Sequence, residues 1–259
     1  MPNPFNANQV KRVSLVPEDV DCIVFWTKDP SPMLERLNEL KGYPYYFQFT
    51  LTAYDNDAEP NVPAKEDCLR AFLALSDKIG SERVIWRYDP IFLSPKYTID
   101  CHLDFFEKAA RTLQDHTSKS IISFMDSYKS IKKRMQPLMP QPWTEEKMRE
   151  AVKGLSEIAF SYGIGMDTCA EEIGLSDLNI GHARCIDPGL IERLFHITVD
   201  AGKDKYQRPA CGCAASADIG IYNTCPAGCL YCYANYNEGM IKRTIAKHNA
   251  SAPALFGKE

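Results

Sequence analysis

Three cysteines near the end of the chain, Cys225, Cys229 and Cys232, stand at C-x3-C-x2-C spacing within "DIGIYNTCPAGCLYCYANY", residues 218–236. Three thiolates on one short loop can ligate three irons of a [4Fe-4S] cube and leave the fourth iron open, whereas structural zinc takes four protein ligands. An open iron is a place for chemistry. The competing reading of the same trio is a zinc site completed by a remote His or Cys. Four more cysteines lie upstream: Cys169, Cys185 in "HARCID", and Cys211 with Cys213 in "CGC". Four thiolates are the number that fully ligates a cluster, and their expected positions after strand ends would let them converge at one face of a sheet. They are therefore candidates for a second, closed [4Fe-4S] cluster, with Cys169 and Cys185 alternatively serving as buried apolar fillers. Cys22, Cys68 and Cys101 fall inside strand or helix patterns and read as core or surface.

These thiols need a frame. "DCIVFWT" (Asp21 to Thr27) is β-branched and aromatic, and "SPMLERLNEL" after it has a Ser cap, an early Pro and apolar residues at helical spacing. The alternation recurs: "YYFQFTLTAY" then "AKEDCLRAFLALSDKIG"; "RVIWRYDPIFL" then "DCHLDFFEKAARTLQDH"; "SIISFMDSY" then "TEEKMREAVKGLSEIAFSYG"; "IGMDTCA" then "DPGLIERLF". Five strand-helix units in a row predict an α/β fold with a parallel sheet, open or curled into a partial barrel. Beyond Thr198 the chain turns rich in Gly, Ala, Cys and Tyr, the composition of a loop held by something other than a core, before "EGMIKRTIAKHN" closes as a helix. The expected organisation is one domain, with residues 1–198 forming the partial barrel and residues 199–259 a cysteine-rich segment that completes it.

A chain of 259 residues, with 45% hydrophobic and 25% charged residues, can bury a core of barrel size. Its formal net charge of -4 supplies no general attraction for a phosphate backbone, so nucleic acid is not an expected partner. The basic run Lys129 to Arg134 reads as a solvated helix face. The opening "MPNPFNANQVKRVSL" lacks the apolar run of a signal peptide, and no stretch is long and apolar enough to span a membrane. The expected compartment is the cytoplasm, where ten cysteines stay reduced and clustered ones read as metal ligands.

Polar residues gather where the predicted strands end: Lys28 in "FWTKDP", Thr50, Thr52 and Glu59 in "FTLTAYDNDAEPNVP", Arg87 and Asp89 in "VIWRYDPI". The carboxyl ends of parallel strands are where such folds place their ligand sites.

With aromatic Tyr231 just before its last cysteine, the trio resembles the radical S-adenosylmethionine (SAM) superfamily. That resemblance implies a [4Fe-4S] cluster on Cys225, Cys229 and Cys232 whose open iron chelates SAM. It also implies Tyr231 beside the adenine, one-electron cleavage of SAM to a 5'-deoxyadenosyl radical, and an electron donor such as flavodoxin or ferredoxin. The strand ends resemble spore photoproduct lyase-like members, which implies Thr27 and Lys28 near the SAM carboxylate, Thr50 and Thr52 as the next strand's SAM-side residues, and Arg87 and Asp89 binding SAM or substrate. In those proteins the cysteine loop comes first; here the order looks circularly permuted, and "DIGIYN" (Asp218 to Asn223) is the strand expected to close the barrel.

Nearly end to end, the chain resembles the family known as domain of unknown function 1848, through "NPFNANQV", "VDCIVFWTKDP", "FQFTLTAY", "VIWRYDPI", "SFMDSYK", "CAEE", "CID", "KDKYQR" and "DIGIYNTCPAGCLYCYAN". Members usually carry an "SRRTDIPAF"-like segment ahead of the point where this chain starts, a departure that bears on whether the barrel is complete. The expected protein is an oxygen-sensitive radical SAM enzyme acting on an unknown substrate. A non-catalytic zinc-stapled module and an iron-sulfur electron carrier are the rival classes, and DNA repair would need a basic face that the net charge does not supply.

Overall fold

The computed structural model describes residues 2–3, 6–10, 12–126, 128–200, 202–249 and 251–252. Parts of three expectations lie outside them: the opening run at residues 1, 4, 5 and 11, the "SFMDSYK" segment at residue 127, and the tail at residues 201, 250 and 253–259.

Six strands form one parallel sheet in chain order: β3 (Ile23–Thr27), β4 (Tyr45–Thr50), β5 (Val84–Ile91), β6 (Lys119–Phe124), β7 (Gly165–Thr168) and β8 (Gly181–His182). A two-stranded antiparallel ribbon, β1 (Pro2–Asn3) with β2 (Asn6–Val10), precedes it. The helices are α1 (Ser31–Leu34), α2 (Lys65–Ile79), α3 (Ile99–Leu113), α4 (Lys129–Met135), α5 (Glu145–Ser161), α6 (Pro188–Phe195) and α7 (Glu238–Ala246).

The central strands are apolar on both faces, as a parallel sheet covered on both sides requires. Along β4, Tyr45, Phe47 and Phe49 join a core with Phe72 and Leu75 of α2, Phe106 of α3 and Leu155 of α5, while Tyr46 joins Ile85, Ile121 and four cysteines on the opposite face. Stacking of Trp86 on Phe106 at 4.3 Å, and of Phe49 against Phe72 at 4.8 Å, locks the helical layer. Side-chain caps start four helices: Thr98 for α3, Thr144 for α5, Asp187 for α6 and Asn237 for α7.

Two sequence expectations differ from the fold, and one strand was not expected. The ten-residue helix at Ser31–Leu40 is a single α-turn followed by a 3-10 turn at Leu37–Leu40; Pro30 holds the cap position and Ser31 caps nothing. A segment that short is a poor helix on its own, and it has no fully buried residue to anchor it. The two-residue β8 was not legible, since Gly181 and His182 carry no strand signal. "DIGIYN" forms no strand: Asp218 Oδ1 accepts the Gly220 amide at 2.8 Å and Asn223 adopts a left-handed conformation at φ 59°, so local turns displace ladder pairing. The edges of the described sheet are β3 and β8.

Among the described residues no helix is long and apolar enough to cross a membrane.

Candidate functional site

The tail returns to the carboxyl end of the sheet. Leu230 N donates to Ala58 O at 2.9 Å and Asn61 N to Ala227 O at 3.1 Å, so the cysteine loop is hydrogen-bonded to the segment that follows β4. Asn61 Nδ2 adds a bond to Pro226 O at 2.9 Å. At Gly228 the backbone has φ +71° and a side chain would meet Asn61 Nδ2 at 3.1 Å, so glycine both permits the turn and lets the loop approach. The loop closes on itself through Asn223 N to Ala234 O at 3.0 Å and Tyr236 N to Asn223 Oδ1 at 2.7 Å. Asn235 Nδ2 holds the Cys225 carbonyl at 2.9 Å, and Cys232 N bonds Cys229 O at 3.1 Å. Cys229 is buried, Cys232 half-buried and Cys225 exposed. Burial pushes the Cys229 thiol up to about 11, with the Cys225 and Cys232 thiols close enough to add to the effect.

Beneath this loop lies a charged hub built on Glu59, which is 1% exposed. Its carboxylate pairs with Lys28 at 2.9 Å and Lys65 at 2.8 Å, and accepts the hydroxyls of Thr52 (2.7 Å) and Tyr231. Burial alone would raise this carboxyl; the two ammonium groups outweigh it and hold the pKa at about 2. Tyr231 is buried beside Tyr54 and Phe92, with the Lys28 ammonium 5.6 Å from its ring centre. Arg134, on the basic helix α4, donates from Nη2 to the Cys232 carbonyl, and its Nε is buried with no partner among the described residues. The Lys129 to Arg134 run is thus a solvated face only in part: Lys129, Lys132 and Lys133 are exposed, while Ile131 and Met135 are buried and Arg134 turns to the cysteine loop.

The upstream cysteines converge on the other face of the sheet. Cys169 follows β7, Cys185 follows β8, and Cys211 and Cys213 come from the tail; all four are buried in one cluster. Cys169 Sγ lies 3.4 Å from Cys185 Sγ. Cys213 Sγ accepts the amides of Cys185 at 3.1 Å and Ile186 at 3.5 Å. Hydrogen bonds from the Cys185 thiol lower the Cys169 and Cys213 thiols, and the same bonds raise Cys185. The Cys185 carbonyl is gripped by Tyr46 OH at 2.5 Å and Gln48 Nε2 at 3.1 Å, both from β4. Arg87, 5% exposed, donates from Nη1 to Cys185 Sγ at 2.7 Å and from Nε to Asp89 Oδ2 at 3.0 Å, and Asp89 also accepts the Ser123 hydroxyl. Burial opposes charge on both Arg87 and Asp89, but their pairing overcomes it, raising the first and lowering the second.

The sequence-predicted residues therefore divide. Lys28 and Thr52 meet at Glu59; Arg87 and Asp89 are committed to each other and to Cys185. Thr50 is half-buried and paired in register with Arg87, so it shares that face of the sheet. Thr27 is half-buried and accepts the Asp29 amide at 3.0 Å. Cys22, Cys68 and Cys101 are half-buried or buried within the cores, as expected. Among the described residues no three His, Cys, Asp or Glu side chains are grouped as a site for a metal ion. The partners that sequence reasoning missed are Lys65, Ser123 and Arg134; only the Arg134 position, in a basic run, carried any signal. A groove at the opposite, amino-terminal end of β4 and β5 is lined by Tyr45, Arg83 and Phe195 and contains no cysteine.

A sequence model for the family described as Domain of unknown function (DUF1848) matches residues 1–234, most of the chain and every cysteine in it. No curated protein matches.

Proposed function

The chain belongs to the DUF1848 family, and from that premise we propose that it is a radical SAM enzyme whose sheet serves as a partial barrel and whose Cys225, Cys229 and Cys232 would hold a [4Fe-4S] cluster. One observation carries this reading: the C-x3-C-x2-C loop is docked over the carboxyl end of the sheet, one thiol exposed and one buried, against a hub with more cations than anions. The donor set suits the cluster, since three thiols on one loop ligate three irons and leave one vacant. The buried Nε of Arg134, on the side chain that binds the Cys232 carbonyl, has no partner among the described residues and can donate to a bound group.

When bound and reduced by a donor such as flavodoxin or ferredoxin, the cluster supplies the electron that cleaves SAM to a 5'-deoxyadenosyl radical. The residues of the chain bind and orient. Lys28, Lys65 and Arg134 against Glu59 leave an excess of positive charge that attracts the SAM carboxylate. Thr52 and Tyr231 fix the Glu59 carboxylate, which fixes the Lys28 ammonium in turn. The Tyr54, Phe92 and Tyr231 rings wall that side of the loop and exclude water. Tyr231, buried with its hydroxyl on Glu59, would act as a positioning residue.

Anaerobic reconstitution with SAM and a strong reductant is expected to release 5'-deoxyadenosine, and Cys229→Ala to abolish the release. Equal release by the variant overturns the assignment.

A further inference from the structure

Four thiols drawn from three segments of the chain meet inside this protein, and their surroundings are not those of apolar fillers. A filler cysteine is packed among hydrocarbon and asks for no donor. Here Cys213 Sγ accepts two backbone amides and Cys185 Sγ accepts a guanidinium N–H. Donors aimed at sulfur favour the thiolate, the form that ligates metal. A buried guanidinium is costly unless negative charge faces it. Asp89 supplies one anion to Arg87; the edge of Arg87 directed at Cys185 faces only thiols.

From this we infer that Cys169, Cys185, Cys211 and Cys213 ligate a second iron-sulfur cluster, closed by four thiolates, and that Arg87 is the positioning residue that hydrogen-bonds its Cys185 ligand. Four thiolates around such a core leave net negative charge, which the guanidinium edge balances. Four thiolates are the number that closes a [4Fe-4S] cluster, and the test below separates that cluster from a single zinc ion. Tyr46 and Gln48 on the Cys185 carbonyl hold the ligand loop against β4. Ferrous and ferric iron supplied in solution in equal amounts take the places of the thiol protons, which pass to buffer, and the supplied sulfide bridges the irons. A closed cluster offers no iron to a substrate, and the N–H···S bond sets its potential.

This second centre does not depend on the SAM reading, and the full chain with Cys225→Ser, Cys229→Ser and Cys232→Ser tests it separately. After anaerobic reconstitution with iron and sulfide, that chain is expected to keep about four irons and about four sulfides, and adding Cys185→Ser with Cys213→Ser to lose them. Arg87→Met in the tail-serine background is expected to shift the midpoint potential to more negative values, and Arg87→Lys, which keeps the charge, to shift it less. Failure of the tail-serine chain to hold iron, or zinc bound without sulfide, overturns the inference. Far-ultraviolet circular dichroism matching the parent shows that the variant folds. If it does not fold, the unaltered chain decides, with about eight irons supporting two clusters and about four refuting the second. A tail-serine chain that keeps its cluster while the parent releases no 5'-deoxyadenosine sinks the SAM reading alone, and the reverse pattern sinks the second centre alone.

Discussion

The two cysteine groups are built in opposite ways. The tail trio lies on a single loop, attached by backbone bonds to Ala58–Asn61, with Cys225 open to solvent and two lysines paired to Glu59 beneath it. The quartet is assembled from strand ends and tail, buried, with the Arg87 guanidinium clamped between Asp89 and Cys185. Sites that bind and turn over a small molecule keep a coordination position open, whereas sites that hold a fold or pass an electron are closed. The seven cysteines divide by origin, three on one loop and four from separate segments, and each group is proposed to have its own chemistry.

The largest test of this contrast is Arg87→Met in metal-free protein. It leaves the half-buried Asp89 carboxylate without its buried partner and is expected to cost about 3 kcal/mol by urea unfolding. A cost below 1 kcal/mol would mean the closed site is not held by its ion pair.

An intermediate effect belongs to the hub under the trio. The folded Glu59 pKa, about 2, is below the ordinary 4.5, so the folded state binds fewer protons in that window and the stabilisation is complete above pH ~4.5. It is lost as pH falls from there through ~2, amounting to about 3 kcal/mol. Acid titration of unfolding should show this slope, and Glu59→Gln should flatten it.

The smallest effect is expected from Arg134→Met, whose lost bond to the Cys232 carbonyl should change stability by about 1 kcal/mol or less while weakening SAM binding measured by titration. A stability loss as large as that of Arg87→Met would erase the distinction between the two sites.

Much of the frame was legible because its signals are local. The aromatic runs at Tyr45–Thr50 and Val84–Ile91 announce buried parallel strands, and the caps Thr144 and Asp187 sit where the helical spacing begins. Cys169 was placed by its strand end, while the strand that brings Cys185 beside it, β8, carried no signal. What stayed hidden was long-range. Nothing around Ala58 in sequence says that Leu230 will bond to it, or that Tyr231 and Lys65 will meet at Glu59. "DIGIYN" misled because its apolar alternation outweighed Asp218 and Asn223, residues whose side chains prefer local turns.

The central claim is that only the trio leaves an iron vacant. Its most direct test is the electron paramagnetic resonance spectrum of the reduced, reconstituted protein before and after SAM is added. The account predicts that SAM changes the signal of the Cys185→Ser/Cys213→Ser chain, which keeps only the tail cluster, and leaves the signal of the tail-serine chain unchanged. A spectrum that SAM alters only in the tail-serine chain, or in neither, would contradict it.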